Sequence, residues 1–434
     1  MSIMPPYEFI KELRMPNVRN FERRIRPPRI DEADIRSGLV LTGEKVDLIP
    51  ATAREDLQEY CRDVGLNWPG QYPLEITSED LGTFEAFRLE LGRDCGRICA
   101  GDAEGFRRAI YHLEDMLSTA AAPLLPIGTT ERHPWMKNRI SRCCFGPIKR
   151  PPFHHDELLD RFDYYPEPYL KRLAHEGING LWLTIKWREI CQTSFEQPDR
   201  DALEQRLTKL RLVVEQCRRY GIKIWAFCIE PFNFESGDTL PERFPELQGA
   251  PYYHKTTCCP SSETGRRYIY ESVNFLFREV PGLGGIINIS HGERGTSCLS
   301  TIPATGDGEV NCPRCGKLPK WQIMYNTLSA MRDGMTDAVP DAELISWLYM
   351  PQEAPRADWV FELAEHVPTG VTLQFNFESA GGEEQLGKLR RGGDYWLSYT
   401  GPSPEFVRIA ERAQQYGAAL SAKLQVGCAL EVAT

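Results

Sequence analysis

Hydrophobic and polar positions follow one pattern in the first third of the chain. Residues 38–50 and 85–99 alternate between apolar and polar side chains, which predicts strands and, for the first segment, a hairpin or strand pair. Residues 55–64 look helical, and residues 103–117 repeat apolar side chains at helical spacing. This mixture predicts a small α+β domain over residues 31–132.

From residue 133 onward, strand-like apolar runs alternate with helix-like ones, a pattern typical of a parallel α/β sheet or barrel. Several predicted helices end in glycine just before the next strand, a common helix terminator. Eight strands in about 290 residues fit a (β/α)8 TIM barrel, and the glycine-rich phosphate turn of a doubly wound sheet is missing. We therefore predict the α/β class, with the barrel over residues 133–434. The predicted strands are Arg139–Phe145, Gly180–Lys186, Lys223–Ile229, Gly285–Ser290, Leu344–Tyr349, Thr372–Phe377, Tyr395–Tyr399 and Ala418–Leu424.

Composition and charge narrow the class of protein. The 434 residues are 41% hydrophobic and 26% charged, with a net charge of −10, which is ordinary for a globular protein and disfavours a nucleic-acid partner. The apolar runs are shorter than the roughly 20 residues of a membrane span, and the N-terminus shows no apolar signal segment. We therefore expect a cytoplasmic protein without a membrane partner, in which the polar residues 1–30 form a surface arm.

The predicted barrel is short at its end. The chain stops at Thr434, about ten residues after the eighth strand, which leaves no room for the usual last helix. We expect that face to be covered by another segment or by a partner subunit in a homo-oligomer, unless the chain is a piece of a longer protein.

In such a barrel, functional side chains gather at the carboxyl ends of the strands. The sequence places carboxylates, aromatic rings and long polar side chains there, and it shows no recognisable metal triad or nucleophile motif. This set suits a sugar, because aromatic rings stack on sugar faces and glycosidic cleavage needs a carboxylic acid to protonate the leaving oxygen. The candidate catalytic residues are Glu293, Glu378 and Glu230. The candidate substrate-binding residues are Arg139, Lys186, Trp187, His291, Trp347, Tyr349, Asn376 and Lys423.

Four segments resemble one superfamily of glycoside hydrolases. Residues 101–115, with the pattern GDAEG followed by YHLED, resemble the small domain that precedes the barrel in family 20 β-hexosaminidases and family 67 α-glucuronidases. Residues 134–139, 173–182 and 280–293 resemble the first, second and fourth strands of the barrel in these enzymes. The resemblance covers most of residues 35–425 and implies a small α/β domain before a catalytic TIM barrel.

The same resemblance implies roles for individual residues. Glu293, at the end of the fourth strand, would be the catalytic acid, and Arg139 would bind hydroxyls of the sugar being cleaved. Family 20 enzymes place an aspartate before the acid to orient the substrate acetamido group, whereas this chain has Gly292 there. A second carboxylate acting directly is therefore expected, with Glu378 as first choice and Glu230 as second. The implied substrate is a hexosaminide- or uronide-type oligosaccharide, and the chemistry requires no cofactor.

Each candidate also has a structural interpretation. Glu293 could pair with Arg294, Arg139 could form a salt bridge, and the aromatic residues could belong to the barrel core. Two further classes of protein stay open. The loss of the family aspartate favours a non-catalytic carbohydrate-binding barrel, and the cysteines favour an interaction protein organised by zinc.

Cysteines are numerous, with 14 in the chain, and the missing signal segment favours reduced thiols. Cys312 and Cys315 form a CxxC pair, Cys298 lies 14 residues before it, and the pair Cys258–Cys259 follows the third predicted strand. Three or four of these thiolates could meet around a structural Zn²⁺. The second CxxC pair of a typical zinc motif is missing, so plain reduced thiols are the alternative.

Overall fold

The structure, a computed structural model, describes residues 26–142, 149–150, 153–154, 156–292, 294–350, 354–392 and 401–424. These residues fall into two compact units. The first lies within Met1–Phe153, Arg161–Leu181 and Val213–Lys223, and the second lies within His154–Asp160, Trp182–Leu212 and Ile224–Thr434. Among the described residues, no helix is both long and apolar enough to cross a membrane.

The first unit combines short strands with two long helices. A five-stranded sheet has the order β2-β3-β5-β4-β7, in which β2, β3 and β5 run parallel and β4 is antiparallel to both of its neighbours. Its strands and helices are β1 (Glu32–Asp34), β2 (Leu39–Thr42), α1 (Ala51–Val64), β3 (Tyr72–Ser78), β4 (Phe87–Leu91), β5 (Gly96–Ala100), α2 (Ala103–Thr119), β6 (Leu124–Pro126), β7 (Gly128–Arg132), β8 (Ile140–Arg142), β9 (Lys149–Arg150), β10 (Phe153–His154) and α3 (Glu167–His175).

Two local predictions in this unit have different outcomes. The helix predicted at residues 103–117 is confirmed as α2. The Asp102 side chain caps its N-terminus by accepting a hydrogen bond from the Gly105 N–H at 2.7 Å. The hairpin interpretation of residues 38–50 is wrong. β2 is the one strand in this segment, since residues 46–48 form a 3-10 turn instead of a second strand. β2 pairs in parallel with β3.

The second unit is built on parallel strands joined by helices. Within this unit the strands pair in parallel in the order β20-β17-β16-β15-β12. The elements that lie wholly or partly in this unit are β11 (Gly180–Thr184), α4 (Trp187–Ile190), α5 (Arg200–Arg218), β12 (Lys223–Cys228), α6 (Thr239–Arg243), β13 (Gln248–Tyr252), β14 (Lys255–Cys258), α7 (Glu263–Glu279), β15 (Gly285–His291), α8 (Lys320–Thr336), β16 (Glu343–Leu348), α9 (Asp358–His366), β17 (Val371–Asn376), β18 (Gly382–Gln385), β19 (Lys388–Arg391), α10 (Pro404–Tyr416) and β20 (Ala419–Lys423).

This arrangement confirms the α/β class and the parallel sheet, which curls as a half-barrel. Over the described residues the sheet is open, so it does not establish the closed eight-stranded barrel. The predicted seventh strand, Tyr395–Tyr399, lies outside the described residues. The other predicted strands are present, although the first one is represented only by the three residues of β8.

The central strands explain where the core and the site lie. All seven residues of β15 are buried, and most of β12, β16 and β17 is buried as well. Burial on both faces is expected of a parallel strand whose neighbours are parallel strands and helices. Polar residues nevertheless occur inside β15, and their partners lead to the candidate site.

Candidate active site at the carboxyl ends of the parallel strands

Glu230 is the best defined carboxylate at this edge of the sheet. It follows β12 and is only 3% exposed. One carboxylate oxygen accepts a hydrogen bond from the Trp187 N–H at 2.9 Å, and the other accepts one from the Phe232 N–H at 2.5 Å. Burial raises the pKa of Glu230 to about 7, although the two backbone donors favour its charged form. Glu230 can therefore hold or release a proton near neutral pH.

Asn288, from the middle of β15, fixes the backbone of Glu230. Its side-chain oxygen accepts a hydrogen bond from the Glu230 N–H, and its side-chain nitrogen donates one to the Glu230 carbonyl, both at 2.9 Å. The Ser290 hydroxyl lies 3.3 Å from the same side-chain nitrogen and accepts a hydrogen bond from the Ser346 hydroxyl at 2.9 Å. These three polar side chains are almost fully buried and link β12, β15 and β16. No local sequence pattern indicates their role.

Trp347 is the centre of an aromatic and polar cluster on the neighbouring strands. Its indole N–H donates to the Asn376 side-chain oxygen at 2.8 Å, and its ring centroid is 5.1 Å from that of Tyr349. The Lys423 ammonium lies 5.6 Å from the centre of the Trp347 ring. Asn376 and Lys423 are register partners in β17 and β20. The structure thus brings together four of the predicted substrate-binding residues.

Glu378 lies two residues after the end of β17 and is 8% exposed. The segment is fixed by backbone hydrogen bonds, since the Phe377 N–H donates to the Lys423 carbonyl at 3.0 Å and the Gly381 N–H donates to the Glu378 carbonyl at 2.9 Å. Glu378 is therefore a second buried carboxylate at the carboxyl edge, close in sequence to the Trp347 cluster partner Asn376.

Glu293, the predicted acid, lies outside the described residues. Its neighbour Gly292 is described and has a φ of +156°. A Cβ at residue 292 would lie 2.3 Å from the carbonyl oxygen of Tyr349. The backbone of Tyr349 thus leaves no room for a side chain at residue 292 without a shift of the chain.

His291, Lys186 and Trp187 all have contacts within the protein that explain their positions. The His291 Nε2–H donates to the Ile302 carbonyl at 2.8 Å, its ring packs against Trp359, and burial lowers its pKa. The Trp187 side chain is fully buried, and the residue contacts Glu230 through its backbone N–H. The Lys186 ammonium pairs with Glu189 at 3.1 Å and is largely exposed. Sugar contacts by these residues stay predictions.

Arg139 belongs to the first unit. Its guanidinium pairs with the buried Glu85, and it donates to the carbonyls of Gly177 at 2.5 Å and Met136 at 2.7 Å. Burial lowers the pKa of Arg139. These contacts fit the salt-bridge interpretation of Arg139, and sugar binding by it stays a prediction.

The predicted cysteine cluster forms in space, with one additional member. The sulfur atoms of Cys298, Cys312 and Cys315 lie with that of Cys259 in a group whose ligand atoms are all within 4.8 Å of one another. All four side chains are buried. The sequence could not decide between Cys258 and Cys259, and the structure selects Cys259.

Comparison with known proteins places this fold among glycoside hydrolases. A family 138 glycoside hydrolase that targets pectin rhamnogalacturonan II has a TM-score of 0.55 and 12% identity, over 88% of this chain and 41% of that enzyme. A family 20 β-N-acetylglucosaminidase has a TM-score of 0.49 and 12% identity, over 91% of this chain and 72% of that enzyme. A β-N-acetylhexosaminidase from Bacteroides fragilis has a TM-score of 0.48 and 11% identity, over 92% of this chain and 73% of that enzyme.

No family model matches the sequence, and no curated protein matches it either. The resemblance to glycoside hydrolases predicted from the sequence is confirmed at the level of the fold, through the family 138 enzyme. The chain spans 41% of the length of that enzyme.

Proposed function

We propose that this chain is a glycoside hydrolase that cleaves an oligosaccharide by carboxylate general acid catalysis at the carboxyl edge of the parallel sheet. One observation carries the proposal. Two buried carboxylates, Glu230 and Glu378, follow strands of the same parallel sheet whose carboxyl edge also holds the Trp347 ring and the Lys423 ammonium. Cleavage of a sugar linkage needs carboxyl groups, and an aromatic ring beside them can pack against the sugar.

The proposed roles follow from position. Glu293 would protonate the leaving oxygen, because it comes directly after Gly292 at the end of β15. Glu378 would act as the second carboxylate. Glu230 is the alternative second carboxylate, but both of its oxygens already accept backbone hydrogen bonds, which suits a fixed group that sets the local charge. We further propose that the open sheet is part of a (β/α)8 barrel.

For the substrate we propose a uronide-type oligosaccharide in preference to an N-acetylhexosaminide. The Tyr349 carbonyl leaves no space at residue 292 for the carboxylate that would orient an acetamido group. A sugar carboxylate would instead meet the Lys423 ammonium beside the Trp347 ring. The family 138 enzyme of similar fold targets pectin rhamnogalacturonan II, which supports a search among pectin-type glycans.

The test is a kinetic comparison of Glu293→Gln with the unchanged protein on aryl glycosides, including uronides, with good and poor leaving groups. Loss of the acid should lower the rate by about 10²- to 10⁴-fold on poor leaving groups and less on good ones. The matched control is Glu362→Gln, an exposed position of α9, which should leave the rate unchanged. Equal rates for Glu293→Gln and the unchanged protein would sink the assignment.

A non-catalytic carbohydrate-binding protein is the second candidate, and the closed position at Gly292 is the observation that favours it. Calorimetric titration with oligogalacturonides separates the two functions. Binding without any release of reducing ends by the unchanged protein would favour the binding protein over the hydrolase.

A further inference from the structure

Four cysteines from three separate segments meet in the second unit. Cys259 directly follows β14, Cys298 lies in the loop after β15, and Cys312 and Cys315 precede α8. All four are buried free thiols, at 4% exposure or less. Isolated buried thiols are usually surrounded by apolar side chains, whereas these four sulfur atoms all lie within 4.8 Å of one another, a grouping that could hold one ion.

Two sulfur–sulfur distances match a tetrahedral metal site, and all four sulfur atoms lie within 4.8 Å of one another. The Cys259 sulfur lies 3.8 Å from that of Cys312 and 3.7 Å from that of Cys315. Zinc–sulfur bonds of about 2.3 Å in a tetrahedron place the sulfur atoms about 3.8 Å apart. A disulfide would require about 2.05 Å. The cluster therefore has the spacing of ligands around one ion and not that of bonded pairs.

The surroundings of the sulfur atoms suit thiolates. The Arg314 guanidinium donates to the Cys259 sulfur at 3.2 Å, and the Ala250 N–H donates to the Cys298 sulfur at 3.3 Å. Hydrogen-bond donors and a positive charge around a set of sulfur ligands are the usual outer shell of a metal–thiolate centre. Gly249 packs closely against the Cys298 sulfur, since a Cβ at residue 249 would lie only 2.4 Å from it.

We propose that Cys259, Cys298, Cys312 and Cys315 bind one structural Zn²⁺. Four cysteine thiolates at tetrahedral spacing select zinc over magnesium, calcium or manganese, which prefer oxygen ligands. Four protein ligands complete the tetrahedral coordination of the ion. No position is left open for substrate or water, which is typical of a structural zinc site.

The ion would tie the β13–β14 hairpin to the loop after β15. This loop begins at Gly292, and Thr296 anchors it by donating its hydroxyl hydrogen to the Ser290 carbonyl at 2.8 Å. Cys298 follows two residues later. The zinc site would therefore fix residues 294–298 of this loop, and its existence does not depend on the proposed hydrolase activity.

The experiment measures metal in the full chain purified without chelators. Elemental mass spectrometry should find about one zinc per chain. Replacement of the zinc by Co²⁺ should give the visible absorption bands of a tetrahedral cobalt–thiolate site. Cys259→Ser and Cys312→Ser should each lose most of this metal and lower the melting temperature. The matched control is Cys258→Ala, the buried neighbour outside the cluster, which should keep about one zinc per chain.

The outcomes are distinct from those of the activity tests. A chain without stoichiometric metal, or a chain that contains iron, would overturn the proposal. Retention of zinc by both serine variants would do the same. If the serine variants are insoluble, the metal content and the cobalt spectrum of the unchanged protein still decide. An inactive protein that binds zinc would contradict only the proposed function.

Discussion

The carbonyl oxygen of Tyr349 occupies the space that a side chain at residue 292 would need, since a Cβ there would lie only 2.3 Å away. The backbone of Gly292 also has a φ of +156°, which side-chain-bearing residues rarely adopt. The Tyr349 N–H donates to the His291 carbonyl at 2.9 Å, so the two strand ends cannot easily separate. Gly292 is thus required by the packing of β15 against β16.

This packing predicts a clear asymmetry between two glycines. Gly292→Ala should lower the free energy of unfolding by about 2–5 kcal/mol, because backbone strain and overpacking add. Gly237→Ala is the control: its φ is +80°, but nothing lies within 4 Å of the new Cβ, so only about 1 kcal/mol should be lost. Urea unfolding measures both. Equal losses would contradict the role of the Tyr349 contact.

The burial of Glu230 predicts a pH dependence of stability. Its pKa is raised from 4.5 to about 7 in the folded chain, so the folded carboxyl stays protonated where the unfolded one ionises. The stabilisation is fully present below about pH 4.5 and is lost as the pH rises through about 7. The change amounts to at most about 3 kcal/mol.

Urea unfolding at pH 5 and pH 8 tests this dependence. The Glu230→Gln variant has no titratable group at this position. Its free energy of unfolding should therefore lack the decrease between pH 5 and pH 8 that Glu230 causes in the unchanged protein. Glu362→Gln should retain the full dependence of the unchanged protein, because it is exposed on α9. The same pH profile for Glu230→Gln and the unchanged protein would refute the raised pKa.

The double hydrogen bond from Asn288 predicts a large cost of truncation. Asn288→Ala leaves the buried N–H and carbonyl of Glu230 without their partner, which should cost about 2–4 kcal/mol. Asn274→Ala is the control, since that partly buried side chain donates one hydrogen bond to the Gly334 carbonyl, and it should cost about 1 kcal/mol. Denaturant unfolding compares the two variants, and an equal cost would count against the anchoring role of Asn288.

The parallel α/β repeat could be predicted from the sequence because buried strands such as β12 are nearly continuous apolar runs, and β15 begins as one. The polar residues Asn288 and Ser290 escaped notice for the same reason. A polar side chain inside an apolar run reveals its role only when its partner on another strand is known. Glu230 lies 58 residues from Asn288, a pairing that no local pattern contains.

The clustered cysteines show the same limit. The CxxC pair is a local motif and was found, whereas Cys259 joins it across 53 residues and could not be distinguished from Cys258. The hairpin predicted at residues 38–50 failed for a related reason. The alternating pattern reports a strand but not its partner, and β2 pairs with β3 about 30 residues later.

Lys423 provides the last prediction, which concerns substrate choice. Its ammonium lies 5.6 Å from the centre of the Trp347 ring, where a sugar stacked on the ring would meet it. If the substrate is a uronide, Lys423→Met should lower kcat/KM for an aryl uronide by about 10- to 100-fold, because a charge-assisted hydrogen bond contributes about 1.5–3 kcal/mol. The same variant should change kcat/KM for a neutral aryl glycoside by less than about threefold. Lys388→Met, on the exposed strand β19, should change neither. Equal losses on both substrates would show that Lys423 supports the Trp347 cluster structurally and does not select an acidic sugar.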